Sequence, residues 1–402
     1  MKVIVVGGGA AGLVAAWAAE SNGHSVTVIE KNHRAARKVM ITGKGRCNLT
    51  NNCSVNEFIE NVVHNKRFMY SAVNVFNPQD VMDMIESAGV KLKTERGNRV
   101  FPASDKAVDI VDALYNNCRG CKFMFDTAVT ELIIENGACA GVRMDNGNAV
   151  YADAVIVCTG GLSYPVTGST GDGYIFAKSA GHSVFEPRGS LVPIEIEENC
   201  CSDMSGLSLK NVGVEFKSGS KTGYSDFGEM MFTHFGVSGP MILSASAVVD
   251  NPENTVMYID FKPALSREKL DERLLRDISE DINKSALNML CGLLPKAAVQ
   301  HVLAAAEVDP YIKCNQISAK MRANICSVLK AFPLHPTGFR PIAEAIVTRG
   351  GIAVNEINPK TMQSKKCHNL YFAGEVLDVD AFTGGFNLQI AFSTGYCAGN
   401  SI

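Results

Sequence analysis

The sequence predicts an α/β fold: a parallel, doubly wound sheet that carries a three-stranded β-meander and is interrupted by a long insertion. Three observations predict it. A βαβ unit opens the chain, with a buried β-run at Lys2–Val6, a small-residue helix at Ala10–Asn22 and a second β-run at Ser25–Glu30. Two Asn-Gly pairs, Asn136-Gly137 and Asn146-Gly147, divide Thr127–Ala152 into three β-runs, because type I′ hairpin turns need positive φ at both central residues. A further strand–glycine–helix unit closes the chain, from Asn369–Ala373 through Gly384-Gly385 into a helix of small residues.

The remaining elements follow in order. Lys31–Asn52 is irregular and rich in Gly, Asn and Lys/Arg, and helical patterns come at about Pro78–Ala88 and Asp105–Asn117. The meander feeds a buried strand at Ala154–Cys158. A helix is expected at Tyr174–Ala180, with Asp172 as its cap. Leu191–Ile259 reads as short strands punctuated by Gly, Ser and Asn, and residues 266–330 read as helices, the first of them heavily charged (Arg267–Asp281). Strand character returns at Ala343–Val347.

At 402 residues the chain exceeds what one core usually supports. Its net charge of −3 and lack of long basic runs argue against a nucleic-acid or anionic-membrane partner. Thirteen cysteines, an odd number without a repeating framework, read as reduced thiols of a cytoplasmic protein. Val3–Ala19 is apolar enough to imitate a signal peptide, but Gly7–Gly9 interrupt it and no cleavage pattern follows. No stretch reaches the ~18–20 apolar residues of a membrane span.

The chemistry begins at Gly7-x-Gly9-x-x-Gly12, between the first strand and first helix. Its glycines allow a tight turn, close approach of backbone to a pyrophosphate, and close helix–strand packing. The helix N-terminus supplies unpaired N–H groups and the positive end of a dipole. Glu30 ends the second strand, where an acid binds a ribose 2′-hydroxyl and repels a 2′-phosphate. NAD and FAD both satisfy this much. Next, Lys31, Arg34, Arg37, Lys38, Lys44 and Arg46 place six cations within 16 residues. They form either a solvated loop or a site for a pyrophosphate or a reduced, anionic flavin, with Arg46 and Asn48 the foremost donors and Lys44 or a backbone N–H behind them. Thr159-Gly160-Gly161 follows the buried strand and lets backbone pass close to a ligand. Gly374-Glu375 and Thr383–Gln389 make a second glycine-lined strand–helix unit, which a simple NAD enzyme does not need and a long FAD does. Cys47 and Cys53 are one residue too far apart for the C-x-x-x-x-C pair of disulfide-dependent flavin reductases. Cys118-x-x-Cys121 is a second thiol pair with no sign of a flavin beside it.

Four stretches, VGGGAAGL at 6–13, ITGKGRCNLTN at 41–51, FTHFGVSGP at 232–240, and INPKTMQSK with YFAGEVLDVDAFTGGFNLQIAFSTGY at 357–396, resemble the BaiN/YhiN-like flavoproteins, also known as aminoacetone-oxidase-like FAD-binding enzymes. The resemblance implies a glutathione-reductase-like FAD domain in two parts, 1–190 and 337–402, around an inserted substrate domain, 191–336, that is β-rich and part barrel-like to 265 and helical from 266. It implies FAD contacts at Gly7, Gly9, Ala11, Gly12, Glu30, Lys31, Arg46, Cys47, Asn48 and Leu49, backbone contact of Val129 with adenine, and further contacts at Gly160, Gly374, Glu375, Asn387, Leu388 and Gln389.

It also implies one of two activities: reduction of a C=C bond in an oxo-bile-acid-like compound with NADH or NADPH as transient donor, or oxidation of an aminoacetone-type amine. An RNA-associated or non-catalytic flavoprotein is a further alternative. No second strand–GxGxxG–helix exists, so a nicotinamide donor docks without a dedicated domain. No metal-ligand cluster stands out in the sequence, and none of His234, His301 and His335 is singled out as the proton donor.

Overall fold

The computed structural model describes all residues, 1–402, and divides into two compact units: Met1–Ser190 with Pro341–Ile402, and Leu191–Arg340. The first unit is built on β1 (Lys2–Val6), α1 (Ala10–Ser21), β2 (Ser25–Ile29), β3 (Lys122–Met124), β4 (Ala154–Val157), β5 (Leu370–Phe372) and α2 (Phe386–Asn400). The five strands pair in parallel in the order β5-β4-β1-β2-β3. Their Val/Ile runs are continuous because both faces are covered: all of β4, and all of β1 but Lys2, is buried. The chain leaves β1 toward β2 on one side and returns to β4 on the other, so a switch point opens at the carboxyl ends of β1 and β4.

α1 and α2 bring the two ends of the chain together. A Cβ added at Gly395 would lie 2.3 Å from the Ala11 carbonyl oxygen, and one at Gly399 would lie 2.2 Å from that of Ala15. The matched advance from Ala11 to Ala15 and from Gly395 to Gly399 makes the helices parallel. At 1.5 Å per residue, α2 then projects about 12 Å beyond the start of α1.

The meander comprises Val129–Glu135, Ala138–Met144 and Ala149–Tyr151. Asn136 and Gly137 both take positive φ, 51° and 79°, as a two-residue hairpin turn requires. The second turn differs from expectation. Only Gly147 is left-handed, and Asn146 accepts the Asn148 N–H through Oδ1 at 3.0 Å, an Asx turn in a longer connection. Inside the stretch read as irregular, Thr50–Asn51 pairs with Arg99–Pro102, which pairs with Leu92–Glu95. Helices at Val55–Glu60 and Lys66–Val75 were not expected, although Ser54 and Glu57 form a capping box before the first and Phe68, Met69, Ala72 and Val73 bury one face of the second. Two boundaries also move. The strand expected at Ala343–Val347 runs over Val347–Ile352, where it pairs with Val184–Ser190, while 342–344 form one 3₁₀ turn after Pro341. The helix expected to be capped by Asp172 is capped by left-handed Gly171, which moves Asp172 inside the helix and frees its carboxylate for Lys31 at 2.6 Å.

His182 locks the segment before β5. Its Nδ1 meets Glu356 Oε2 at 3.1 Å and its Nε2 meets Ser364 Oγ at 2.7 Å, while Ser364 Oγ accepts the N–H groups of Lys366 and Cys367. This network assigns a neutral imidazole with the proton on Nδ1. Burial lowers the His182 pKa against the opposing pull of Glu356, whose own carboxyl lies at about 2. The unfolded chain therefore binds this proton more readily, and the contribution to stability is present above the ordinary histidine pKa and lost as pH falls through it. Thermal midpoints should drop between pH 7 and 5, and His182→Gln should flatten that slope while lowering the pH 7 midpoint. A variant with the wild-type slope sinks the assignment.

In the second unit seven antiparallel strands run in the order Phe332–Leu334, Val256–Asp260, Ser208–Ser218, Lys221–Thr233, Gly236–Ser238, Ile194–Ile196, Pro336–Phe339. The two outermost strands are separated in the chain by His335 alone. The sheet must therefore curl until its edges approach, which makes it barrel-like. The helices at 267–280, 296–305 and 319–330 share its core through Leu270, Leu274, Val299, Leu303, Ile325 and Leu329. Because Pro336–Phe339 belongs to this sheet, the chain returns to the first unit only at Pro341.

Candidate functional site

Four strands deliver the glycine and acid motifs to one edge of one sheet. β1 ends into Gly7–Gly9, β2 into Glu30, β4 into Thr159-Gly160-Gly161, and β5 into Gly374-Glu375. The packing here allows almost nothing larger than hydrogen. A Cβ at Gly7 (φ 101°) would meet the Cys158 carbonyl oxygen at 2.6 Å, and one at Gly12 would meet that of Gly7 at 1.9 Å. A Cβ at Gly374 would meet the Cβ of Ala11 at 2.8 Å, and one at Gly160 (φ 73°) would meet Ser169 Oγ at 2.9 Å. Gly9 is the exception. Nothing lies within 4 Å of its missing Cβ, and it caps α1 without any side-chain hydrogen bond. The first-turn N–H groups of α1 therefore face open space with the helix dipole behind them.

Glu30 is buried and accepts the Gly8 N–H at 2.8 Å, the Asn32 N–H at 2.8 Å and Asn32 Nδ2 at 2.6 Å. Two carboxylate oxygens have about four acceptor sites, so a further donor can be received. The Glu30 carbonyl accepts the Thr127 N–H at 3.2 Å, which sets the start of the meander, and Val129, beside it. α2 likewise begins without a side-chain cap, at Gly385 (φ 99°). Its first residues brace their surroundings. Asn387 Oδ1 accepts the Ala381 N–H at 2.9 Å and its Nδ2 donates to the Ala381 carbonyl at 2.7 Å. Gln389 is fully buried among Thr50, Phe76 and Ser393. These side chains are spent inside the protein, and the Gln389 N–H donates to the Gly385 carbonyl, which leaves the backbone N–H groups of 386–388 as the donor surface, with Leu388 half-buried beside it.

The segment 42–49 is held in a strained conformation. Gly43, Lys44, Gly45 and Cys47 all take positive φ, at 56°, 59°, 83° and 57°. Leu49 is fully buried and pairs with Val100. A Cβ at Gly385 would lie 2.4 Å from the Thr50 carbonyl oxygen, so this segment abuts the start of α2. Arg46 points elsewhere: its guanidinium pairs with Glu95 and Asp105 and covers the Phe101 ring at 4.2 Å from the centroid. Lys31 Nζ is taken by Asp172 and Thr170, and Lys44 is exposed. Asn48 differs, because its Oδ1 is a buried atom with no hydrogen-bond partner, and so is Thr159 Oγ1 at the end of β4. Burial pushes the Cys47 thiol up to about 12 and the Cys53 thiol up to about 11, which removes both from thiolate chemistry at neutral pH. Cys118 and Cys121 lie against the α1 carbonyls of Leu13 and Ala16, farther along the helix than Gly9.

Sequence reasoning missed two clusters at this edge. Glu375 is bound by Lys38 Nζ at 2.7 Å, by Ser163 Oγ at 2.9 Å and by the Thr348 N–H at 2.8 Å. Burial opposes its charge, yet Lys38 and these donors hold its pKa below the ordinary carboxylate value. Asp380 accepts Ser190 Oγ at 2.6 Å and pairs with His64 Nδ1 at 2.5 Å. Lys38 and Glu375 are 337 positions apart and His64 and Asp380 are 316 apart, so no local pattern marks either pair.

Uncapped helix starts, open space at Gly9 and unpartnered polar atoms at Asn48 and Thr159 fit a polar dinucleotide such as FAD. The α1 N-terminus and Gly7–Gly9 would hold its diphosphate, Glu30 its adenosine ribose, and the backbone of 47–49 and 386–388 its far end. No helix is long and apolar enough to cross a membrane.

The chain is 28% identical over 404 residues to a ribosomal RNA dihydrouridine synthase of Escherichia coli (strain K12), covering 98% of this chain and 96% of that protein. It is 28% identical over 415 residues to a 3-dehydro-bile acid delta(4,6)-reductase of Clostridium scindens, covering 100% and 98%. Among solved structures it resembles the 3-ketosteroid-delta4-(5alpha)-dehydrogenase of Rhodococcus jostii RHA1 in fold, with a TM-score of 0.53 at 14% identity over 100% of this chain and 96% of that one. Residues 1–401 match the family described as HI0933-like protein Rossmann domain, and the chain belongs to that family as an FAD-dependent oxidoreductase.

Proposed function

We propose that the protein saturates a carbon–carbon double bond conjugated to a carbonyl, with NADH or NADPH as the ultimate donor. One observation carries the reading: two uncapped helix N-termini, offset by about 12 Å along parallel axes, flank a single sheet edge. The first suits a diphosphate. The second would set a positive dipole end beside the pyrimidine of a flavin held there, and so would favour the reduced, anionic cofactor. Bound FAD supplies hydride transfer at N5. The residues of this chain bind it, orient it and exclude water. With Cys47 and Cys53 protonated, a thiol relay is not the route for electrons.

The two relatives' names share one chemical event, addition of two hydrogens across a double bond next to a carbonyl. The name of the Clostridium scindens relative favours an unsaturated oxo compound of bile-acid size. The second reading keeps the chemistry and changes the substrate to a uracil base of ribosomal RNA. The name of the Escherichia coli relative favours it. The absence of a net basic charge counts against it, since phosphate neutralisation supplies most non-specific RNA affinity.

Anaerobic stopped-flow on the yellow protein tests both. Bleaching by NADH or NADPH, then reoxidation by a 3-oxo-Δ4 steroid acid but not by protein-free ribosomal RNA, is the expected result. Reoxidation by RNA alone moves the substrate to the second reading. Bleaching only by an aminoketone, with peroxide released in air, replaces reductase with amine oxidase.

A further inference from the structure

We infer that His64 is the acid that protonates the substrate as the double bond is saturated, with Asp380 and Ser190 as its positioning residues. This rests on the proposed reductase reading and deepens it.

Saturating such a bond needs a hydride at the carbon β to the carbonyl and a proton at the α carbon. The hydride derives from the reduced nicotinamide by way of bound FAD. The electron pair of the broken π bond forms the second C–H bond with a proton, and that proton needs a donor. His64 meets the requirements by placement. The loop from Val376 to Gly384 joins Gly374-Glu375 to the start of α2, so it runs between two proposed cofactor-binding segments. His64 is bound along that loop. Val63 N–H donates to the Asp380 carbonyl at 2.9 Å, Asn65 Nδ2 to the Asp378 carbonyl at 2.6 Å, and Phe382 N–H to the Asn61 carbonyl at 3.0 Å. The loop is fixed in turn by Asn387 at the start of α2.

The pairing is that of a base and its orienter. Asp380 is 1% exposed, holds His64 Nδ1 with one oxygen and receives Ser190 Oγ on the other. The His64 side chain stays 37% exposed, so the ring can give up a proton from its other nitrogen, Nε2. Hydrogen bonding to Asp380 raises the His64 pKa against burial; Asp378 raises it further and Arg349 opposes. The pairing with Asp380 thus favours the charged ring over the neutral one, and after donating it recovers a proton from solvent.

The experiment uses full-length FAD-loaded protein. In His64→Asn the prereduced enzyme should be reoxidised by the oxo compound at least ~100-fold more slowly, the usual scale of general-acid catalysis. Its reduction by NADH or NADPH should stay within a few-fold of wild type. The wild-type reoxidation rate should fall as pH rises through the raised His64 pKa, and Asp380→Asn should move that limb to lower pH. In protein labelled at histidine, the His64 ring signal in NMR should titrate above the ordinary histidine range, and Asp380→Asn should bring it down. A His64→Asn enzyme with wild-type reoxidation and pH profile overturns the assignment, as does an Asp380→Asn limb that does not move. A wild-type enzyme that no unsaturated oxo compound reoxidises overturns the reductase reading, and the assignment with it.

Discussion

A Gly9→Ala protein is expected to fold within about 1 kcal/mol of wild-type stability and to purify without the yellow colour. Gly9 has φ −82°, a conformation alanine adopts without strain, and its added Cβ would touch no protein atom within 4 Å. A purely structural role for this glycine therefore predicts at most the small stability cost of alanine at a helix N-cap and no change in FAD affinity. If the open space holds the diphosphate, the methyl group occupies it, and FAD affinity should fall at least ~100-fold, close to 3 kcal/mol. Gly12→Ala is the contrast. Its Cβ would sit 1.9 Å from the Gly7 carbonyl oxygen, so it should lose both cofactor and stability, the latter by about 1–3 kcal/mol for overpacking. Urea unfolding and FAD titration of both variants separate the cases. A yellow Gly9→Ala protein with wild-type affinity removes the dinucleotide from this end of α1.

How much of this was legible depended on sequence distance. Gly7, Gly9, Gly12 and Glu30 lie within one βαβ unit, and their signals are local: period, turn and strand end. The first meander turn was legible because a two-residue loop admits few conformations. The Asn146 turn was not, because the same dipeptide serves a longer loop once its amide bonds the backbone. Arg46 shows the limit for charges. Its residue type suits an anion, but Glu95 and Asp105 come from a hairpin and a loop that only the fold brings near. The curl of the insert was carried by a single residue, His335, whose role as a one-residue link depends on pairings at both ends of the sheet. His64–Asp380 and Lys38–Glu375 were invisible for the same reason: each joins segments more than 300 residues apart, and the two ends of the chain are held together by the meeting of α1 and α2. That meeting depends on Gly395 and Gly399, which read in sequence only as part of a small-residue helix.

Lys38→Met should destabilise the protein by about 3 kcal/mol, the low end for breaking a buried ion pair. The low end applies because the partners keep some exposure, 23% for Lys38 and 18% for Glu375. The loss should also depend on pH with a definite sign. In the wild type the Glu375 pKa is depressed, so its stabilisation is present above the ordinary carboxylate pKa and lost as pH falls through the depressed one. Without Lys38, burial dominates and raises the same pKa, so the variant loses stability as pH rises through the carboxylate range. The gap between the two proteins should therefore widen from pH 4 to pH 7. Adding Glu375→Gln removes the stranded charge while keeping an acceptor for Thr348 N–H and Ser163 Oγ. The double variant should recover most of the loss and show almost no pH dependence of its own from this site. Urea midpoints of the wild type, Lys38→Met, Glu375→Gln and the double variant at pH 4, 5.5 and 7 complete the cycle. A gap that stays constant with pH means that Glu375 does not carry its charge against Lys38. In that case the cluster at the end of β5 is held by Ser163 and Thr348 alone.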